Sequence, residues 1–333
     1  MRCSVVIPVY NKAPFLKACF ESVFAQTFGD FEVIAVDDAS TDGSLEMLRS
    51  MTDARLRIIE LPANLGPAGA AQRGIDAAIG EYIVRMDADD VMLPERIAEQ
   101  IAFMDNALDV GASGTSVRLL DRPDTTRVML TDDADLRAGM LFRIPLLQPT
   151  SIYRRSVLVE HSIRMDDHWP RSGEDWLYQL RLLKVTRFAN IAKPLLLYRD
   201  AGQGISHGRD RSGDLRMLYT AICGSYGWPV EEEDLRSHFH AMSHFPEPLV
   251  AEDVRAMKRY LARLVDRNNA FKTFPDEVFA RRLDAVWDAL AYQVPRFGLS
   301  TTLAYFANDQ RRSFAKIRYQ VAALLSGNAY SAR

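Results

Sequence analysis

Over its first hundred residues the chain alternates short β-branched runs with helical patterns, and this alternation constrains the fold more than any other feature. Ser4–Val9 reads as a buried strand, and Ala13–Gln26 as a helix with Pro14 near its first position. Phe31–Val36 reads as a second strand. Asp42-Gly43-Ser44 opens a helix through Met51, with Asp42 as its N-cap. Strands over Arg57–Leu61 and Glu81–Met86 follow, each preceding a helix, at Pro67–Ile79 and Pro94–Asn106. Strands and helices in strict alternation imply parallel strands joined by right-handed crossovers, an open α/β sheet flanked by helices.

The pattern then loosens. Val110–Leu120, Thr150–Arg154, Phe188–Ile191 and Leu195–Tyr198 read as strands. Asp132–Phe142, Ser156–His161 and Asp175–Lys184 read as helices, which suggests a mixed edge to the same sheet. The glycine-rich stretch Asp200–Gly213 reads as a loop. Beyond it apolar residues recur three or four apart: Val254, Met257, Leu261, Leu264; Phe279, Leu283, Val286, Leu290; Phe314, Ile317, Val321, Leu324. The expected organisation is a catalytic domain over 1–213, in halves 1–106 and 107–213, and an all-helical C-terminal region over 214–333.

A chain of 333 residues suits one large domain with such an appendage. Forty-one basic against forty-four acidic residues, net −3, make no electrostatic case for nucleic acid. Cys3, Cys19 and Cys223 are odd in number and form no CxxC pair, so neither a disulfide framework nor a structural zinc site is expected. The N-terminal apolar run is short and broken by Pro8, and no stretch reaches the ~18 apolar residues of a membrane span. The expectation is a cytoplasmic protein, at most lying on the inner face of the membrane.

Ligands of open parallel sheets bind outside the carboxyl ends of the strands. Here those ends read Pro8-Val9-Tyr10-Asn11, Asp37-Asp38-Ala39-Ser40 and Asp87-Ala88-Asp89-Asp90. Five aspartates on one edge exceed what packing requires. Any single one reads equally well as a helix cap, Asp42 and Asp90 above all. Asp87 and Asp89 differ, because residues two apart on a strand point the same way and paired carboxylates repel unless a cation lies between them. Hard oxygen ligands suit Mg or Mn. A dinucleotide fingerprint is absent, since the turn after the first strand has no glycine, and there is no Walker A motif.

The ordered set Ser4-Val-Val-Ile-Pro-Val-Tyr-Asn11, Val36-Asp-Asp-Ala-Ser-Thr-Asp-Gly43, Asn64-Leu-Gly66 and Met86-Asp-Ala-Asp-Asp90 resembles the inverting family-2 glycosyltransferases of GT-A fold. The resemblance covers about the first two hundred residues. It implies a sugar transfer from a nucleotide sugar, UDP-linked for preference, with Mn or Mg as cofactor. Pro8 and Tyr10 would wall the uridine, and Asp38 would read the uracil edge. Arg73 would contact base or phosphate, unless it is simply an exposed helix arginine. Asp87-Ala88-Asp89 would be the DxD segment, with Asp87 on ribose or metal and Asp89 on the metal. Arg171-Ser-Gly-Glu-Asp-Trp176 resembles the family's Glu-Asp motif. Asp175 would then be the base, and Glu174 would touch donor or acceptor hydroxyls. The competing reading is a pair of acids favoured by a helix N-terminus. Trp176 reads as a sugar platform or a core residue. His207 would complete the metal site or meet the pyrophosphate, helped by Arg199 or Ser206, unless it is a solvated loop histidine. The Gln-x-x-Arg-Trp motif of processive synthases is missing, which implies single additions.

The implied acceptor is a glycan or lipid-linked oligosaccharide of surface polysaccharide biosynthesis. Two other functions compete. A nucleotidyltransferase would need a basic glycine-rich loop after the first strand, and Asn11-Lys12-Ala13 is a poor substitute. A non-catalytic nucleotide-sugar-binding protein would have no use for Glu174-Asp175. In the tail, Glu231–Asp234 is acidic, whereas Arg296–Arg333 holds six basic residues against one acidic, net +5. Arg311, Arg312, Lys316 and Arg318 flank the apolar stripe. That helix either lies on anionic lipid as a peripheral membrane contact, or packs on the catalytic domain or a second subunit of an oligomer with its basic residues solvated. The second reading is the simpler.

Overall fold

The computed structural model describes residues 1–166, 169, 172–200, 210–311 and 313–326. By contacts between residues the chain divides into two units, Met1–Leu136 with Ile144–Gly208, and Arg137–Arg143 with Arg209–Arg333.

In the first unit the alternating half is built as β1 (Cys3–Val9), α1 (Ala13–Phe24), β2 (Phe31–Asp37), α2 (Ser44–Ser50), β3 (Leu56–Glu60), α3 (Gly66–Ala77), β4 (Tyr82–Arg85), β5 (Val91–Met92) and α4 (Arg96–Asn106). The second half adds β6 (Val110–Leu119), β7 (Thr126–Arg127), α5 (Asp133–Gly139), a 3-10 turn (Gln148–Thr150), β8 (Ile152–Arg154), α6 (Arg155–Glu160), α7 (Glu174–Leu182) and β9 (Arg187–Tyr198). The sheet runs β3-β2-β1-β4-β8-β6-β9-β5, with β7 paired to β6. Strands β3, β2, β1 and β4 are parallel, and β8 lies antiparallel to both β4 and β6. The chain first builds outward from β1 to β3 and then returns to β1's other side with β4. The carboxyl ends of β1 and β4 therefore flank the switch point where such sheets bind ligands.

Burial explains the strand composition. β1 is covered on both faces, so Cys3, Val5, Val6, Ile7 and Val9 are all buried. α1 turns Leu16, Cys19, Phe20 and Val23 onto it. On the other face α3 comes in close because its inner surface is small: a Cβ on Gly74 would lie 2.4 Å from Val6 Cγ1. The three cysteines are free and buried.

The structure departs from the sequence reading in several places. Phe188–Ile191 and Leu195–Tyr198 are one strand, β9, paired in parallel with β6. Register shifts flank Pro194, where the extra residues bulge around an imide that lacks an N–H. β5 and β7, two residues each, carry too little pattern to be expected. The α2 cap position belongs to Gly43, at φ +88°, although Asp42 Oδ1 still accepts the Ser44 amide at 3.0 Å. Asp90 caps nothing, because α4 begins only at Arg96.

The second unit contains α8 (Ser212–Tyr226), α9 (Glu232–Ala241), α10 (Ala251–Phe271), α11 (Asp276–Leu290), a 3-10 turn (Val294–Phe297), α12 (Leu299–Asn308) and α13 (Phe314–Leu325). Its centre combines rings with one buried carboxylate. His238 Nδ1 lies 2.8 Å from the Tyr260 hydroxyl and its ring 4.2 Å from that of Tyr219. Asp234, fully buried, accepts from Arg263 and, at 2.6 Å, from Arg267. None of the described helices is long and apolar enough to cross a membrane.

Helix α13 is not packed along its whole apolar stripe within this chain. Phe314 is 78% exposed and Val321 is exposed, whereas Ile317 and Leu324 are half-buried. Lys316 and Gln320 are buried. Of the basic residues, Lys316 and Arg311 are paired and Arg318 is exposed. Lys316 bonds Asp288 at 2.6 Å, and Arg311 pairs with Asp284 and Asp288. Asp288, on α11, draws Lys316 of α13 inward. Arg312 lies outside the described residues.

Candidate active site

The segment after β1 is stitched to the segment after β2. Asn11 takes φ +51° and its Oδ1 accepts the Thr41 amide at 2.8 Å. Its own amide donates to Ser40 Oγ, and that of Lys12 to Ser44 Oγ at 2.8 Å. Ala39 is also left-handed, at φ +59°. Two non-glycine residues held in this sparsely populated region mark a built edge rather than a loose loop. Pro8 and Tyr10 stand on it, Pro8 half-buried and Tyr10 44% exposed, as a ring offered to a ligand would be.

Asp38 is buried, and both its oxygens are engaged: Oδ1 accepts Leu65 N at 2.7 Å and Oδ2 accepts Gly66 N at 2.9 Å. Its first task is to hold the Asn64-Leu65-Gly66 turn at the start of α3, where the helix N-terminus favours a carboxylate. Arg73 sits half-buried on that helix.

The loop after β4 carries the densest charge. One carboxylate oxygen each from Asp87, Asp89 and Asp90 lie within 4.8 Å of one another, the sole group of metal-ligand type among the described residues. Asp90, absent from the sequence-derived ligand set, is the most buried. Its Oδ1 accepts the Arg199 amide at 2.8 Å, and its Oδ2 has no partner. Desolvation and the charge of Asp87 push its carboxyl well above the carboxylate range. Desolvation likewise raises Asp87, opposed by Arg85 and reinforced by Asp89. Hard oxygens, close spacing and an orphaned buried oxygen fit a divalent ion of the Mg or Mn type.

Three basic residues surround this cluster, and no motif drew attention to two of them. Arg85, only 6% exposed, places Nη1 3.1 Å from Asp87 Oδ1. The ammonium of Lys12 pairs with Asp89 Oδ2. Arg199 donates from Nε to the Asp89 carbonyl at 3.0 Å and lies over the Phe15 ring at 4.5 Å. A signal for Arg85 existed: a lone charge ending the apolar strand Tyr82-Ile-Val, two residues before Asp87. Behind the loop, fully buried Arg96 donates to the Arg85 carbonyl at 2.8 Å and to Gln100.

Glu174 and Asp175 open α7, after Gly173 at φ +90°. Asp175 Oδ1 accepts the Trp176 amide at 2.8 Å. Desolvation raises Asp175 to about 6, with the Trp176 bond opposing and the Asp87 charge adding. Desolvation and the Asp175 charge raise Glu174 to about 8. Arg85 lowers both, so its guanidinium acts on the Asp87 carboxylate and on the Glu-Asp pair together. Trp176 is buried and belongs to the core, not to an open sugar platform. His207 and Ser206 lie outside the described residues.

Solved structures resemble this architecture over nearly the whole chain. That of Staphylococcus aureus TarS residues 1–349 with UDP-GlcNAc matches at TM-score 0.61 and 20% identity, covering 98% of this chain and 91% of that one. A mannosyltransferase of Pyrobaculum calidifontis, PcManGT, with GDP-Man and Mn2+, matches at TM-score 0.53 and 19% identity, covering 97% and 87%. The fold is the GT-A type, a mixed sheet with flanking helices. Residues 4–158 match the family described as Glycosyl transferase family 2, and the chain carries a domain of that family. Among curated relatives, the succinoglycan biosynthesis protein ExoO of Rhizobium meliloti is 33% identical over 186 residues, 52% of this chain and 53% of that protein. An uncharacterised glycosyltransferase of Haemophilus influenzae is 27% identical over 216 residues, 61% and 67%. The chain thus spans about half the length of the first of these relatives.

Proposed function

We propose that this chain is an inverting, metal-assisted glycosyltransferase that moves a sugar from a nucleotide sugar, a UDP-sugar for preference, to a hydroxyl of a glycan or lipid-linked oligosaccharide. The observation that carries the reading is electrostatic. Asp87 and the Arg85 guanidinium beside it both act on the Glu174-Asp175 pair, which supports reading the two acidic groups as parts of one site. The solved structure with UDP-GlcNAc and the succinoglycan relative support the donor class and the acceptor class.

In this reading Tyr10 and Pro8 wall the base, with Asp38 at its edge and Arg73 beside it. Asp87, Asp89 and Asp90 would hold a divalent ion, which supplies positive charge to the departing diphosphate. Asp175, ionised above pH 6, accepts the proton of the acceptor hydroxyl as its oxygen bonds the anomeric carbon. The bond from that carbon to the phosphate oxygen breaks on the opposite face, its electron pair leaving with the nucleoside diphosphate, so the configuration inverts. Glu174, protonated at pH 7, donates a hydrogen bond to a sugar or acceptor oxygen. Desolvation raises both carboxyls, which suits one to hold a proton while its neighbour takes one. The catalytic domain is residues 1–213, with the helical region 214–333 appended.

Asp175→Asn tests the base. UDP affinity, read by calorimetry with Mn2+, stays within about twofold. Transfer or donor hydrolysis across a panel of nucleotide sugars falls by ~10²-fold or more. Unchanged turnover refutes the assignment.

A further inference from the structure

Lys12 is the residue that the family motif passes over and the structure does not. Its backbone is fixed: it precedes the first turn of α1, its amide donates to Ser44 Oγ at 2.8 Å, and its carbonyl accepts the Phe15 amide at 2.9 Å. Its side chain reaches across from the end of β1 to the loop after β4, and its Nζ pairs with Asp89 Oδ2. The ammonium also lies 5.8 Å from the centre of the Phe15 ring, whose other visitor is Arg199 at 4.5 Å. The ion pair therefore stands at the switch point itself, between the strand that carries Tyr10 and the loop that carries the carboxylates. Lys12 is 29% and Asp89 24% exposed, so water and ions reach the pair.

An ammonium and a divalent ion drawn to one carboxylate repel each other and compete for its lone pairs, so each weakens the hold of the other. An ammonium is a compact point charge on a flexible four-carbon stem, able to leave one anion for another within a few ångströms. We propose that Lys12 is a built-in counter-ion of Asp89 that a divalent cation displaces, and that the released ammonium then binds the donor's diphosphate. This rests on the nucleotide-sugar reading above. Lys12 is thereby a positioning residue toward the metal and a binding residue toward the donor. Without ligands it offsets the charge of Asp89, as Arg85 offsets that of Asp87. With both ligands it adds one protein charge to the leaving group. The two ligands become coupled through it, because a diphosphate that draws the ammonium away raises the affinity of Asp89 for the ion, and the reverse holds equally.

The sign of the test is unusual, since deleting a residue of the site should tighten metal binding. If Asp89 is free of Lys12 in only a fifth of the molecules, the apparent metal affinity is reduced fivefold. Mn2+ binding to the full chain at pH 7.5 without nucleotide, followed by loss of the free-ion EPR signal, is therefore expected to be about fivefold tighter in Lys12→Met than in wild type. At saturating Mn2+, Lys12→Met binds UDP several-fold more weakly by calorimetry while uridine binding is unchanged. Lys12→Gln serves as a second variant, with thermal melting as the check on folding. Equal or weaker Mn2+ binding by both folded variants overturns the proposal, as does unchanged UDP affinity. If wild type binds neither Mn2+ nor UDP, the donor reading fails and this inference fails with it. If wild type binds both and the variants behave like it, only the role of Lys12 is lost.

Discussion

Glu174→Gln probes the cleft without any substrate. The Glu174 carboxyl stands at about 8 in the folded chain, through desolvation and the Asp175 charge, against 4.5 ordinarily. The unfolded chain gives up this proton near pH 4.5, while the folded chain keeps it until about 8. Over that window the folded state binds more protons, so its stability falls as pH rises. Each tenfold change in proton affinity is about 1.4 kcal/mol, which sets a ceiling of about 5 kcal/mol. Asp175, itself raised to about 6, shares the same charges, and the half-buried side chain is partly screened by water. The fraction expected from Glu174 alone is about 1–2 kcal/mol. Glutamine keeps the shape and removes the titration. In melts at pH 5, 6, 7 and 8 with EDTA and no nucleotide, the two proteins should nearly coincide at pH 5. The variant should then gain progressively, by about 2–4 °C per kcal/mol, to be the more stable at pH 8. A difference that does not vary with pH, or a variant less stable at pH 8, refutes the electrostatic account.

Gly80→Ala places a Cβ 2.5 Å from the Cys3 carbonyl carbon and 2.6 Å from Ser4 N, both backbone atoms of a central strand. A loss of about 3 kcal/mol in urea titration is expected, with Gly29→Ala, where nothing lies within 4 Å, as the neutral control. Asp234→Asn leaves Arg263 and Arg267 without their carboxylate inside the helical unit. It should lower a calorimetric transition of the full chain by the equivalent of about 3 kcal/mol, and an unchanged trace would refute the buried triad's importance.

The alternating half was readable because its strands are buried on both faces and its helices carry single apolar stripes, so pattern and burial coincide. The ends of β1, β2 and β4 were readable for the same reason: polar residues where apolar runs stop. Other features depended on partners far along the chain. Phe188–Ile191 and Leu195–Tyr198 read as two strands because only the β6 ladder shows that the chain bulges between them at Pro194. Asp38 read only as a ligand contact, because Leu65 and Gly66, whose amides it also accepts, lie 27 and 28 residues away. Asp90 passed for a cap until Arg199, 109 residues on, took its oxygen. The stripe of α13 was readable along the helix, but not that Lys316 beside it turns in to Asp288 of α11, 28 residues earlier. In each case composition named the chemistry and tertiary pairing decided its direction.

The position of β4 has a consequence for how the molecule is assembled. It pairs with β1 on one side and with β8, about seventy residues downstream, on the other. During synthesis the first hundred residues can form a sheet of four parallel strands, yet β4 then remains an edge with its hydrogen-bonding groups unpaired. Such an edge recruits neighbours, and long-range pairing is slow to arrive. The aspartate loop therefore gains its rigid footing only when Ile152–Arg154 has been made and has docked. A nascent chain stalled before that point would be a nucleus for aggregation, and the yield of active protein should depend on translation speed between the two strands.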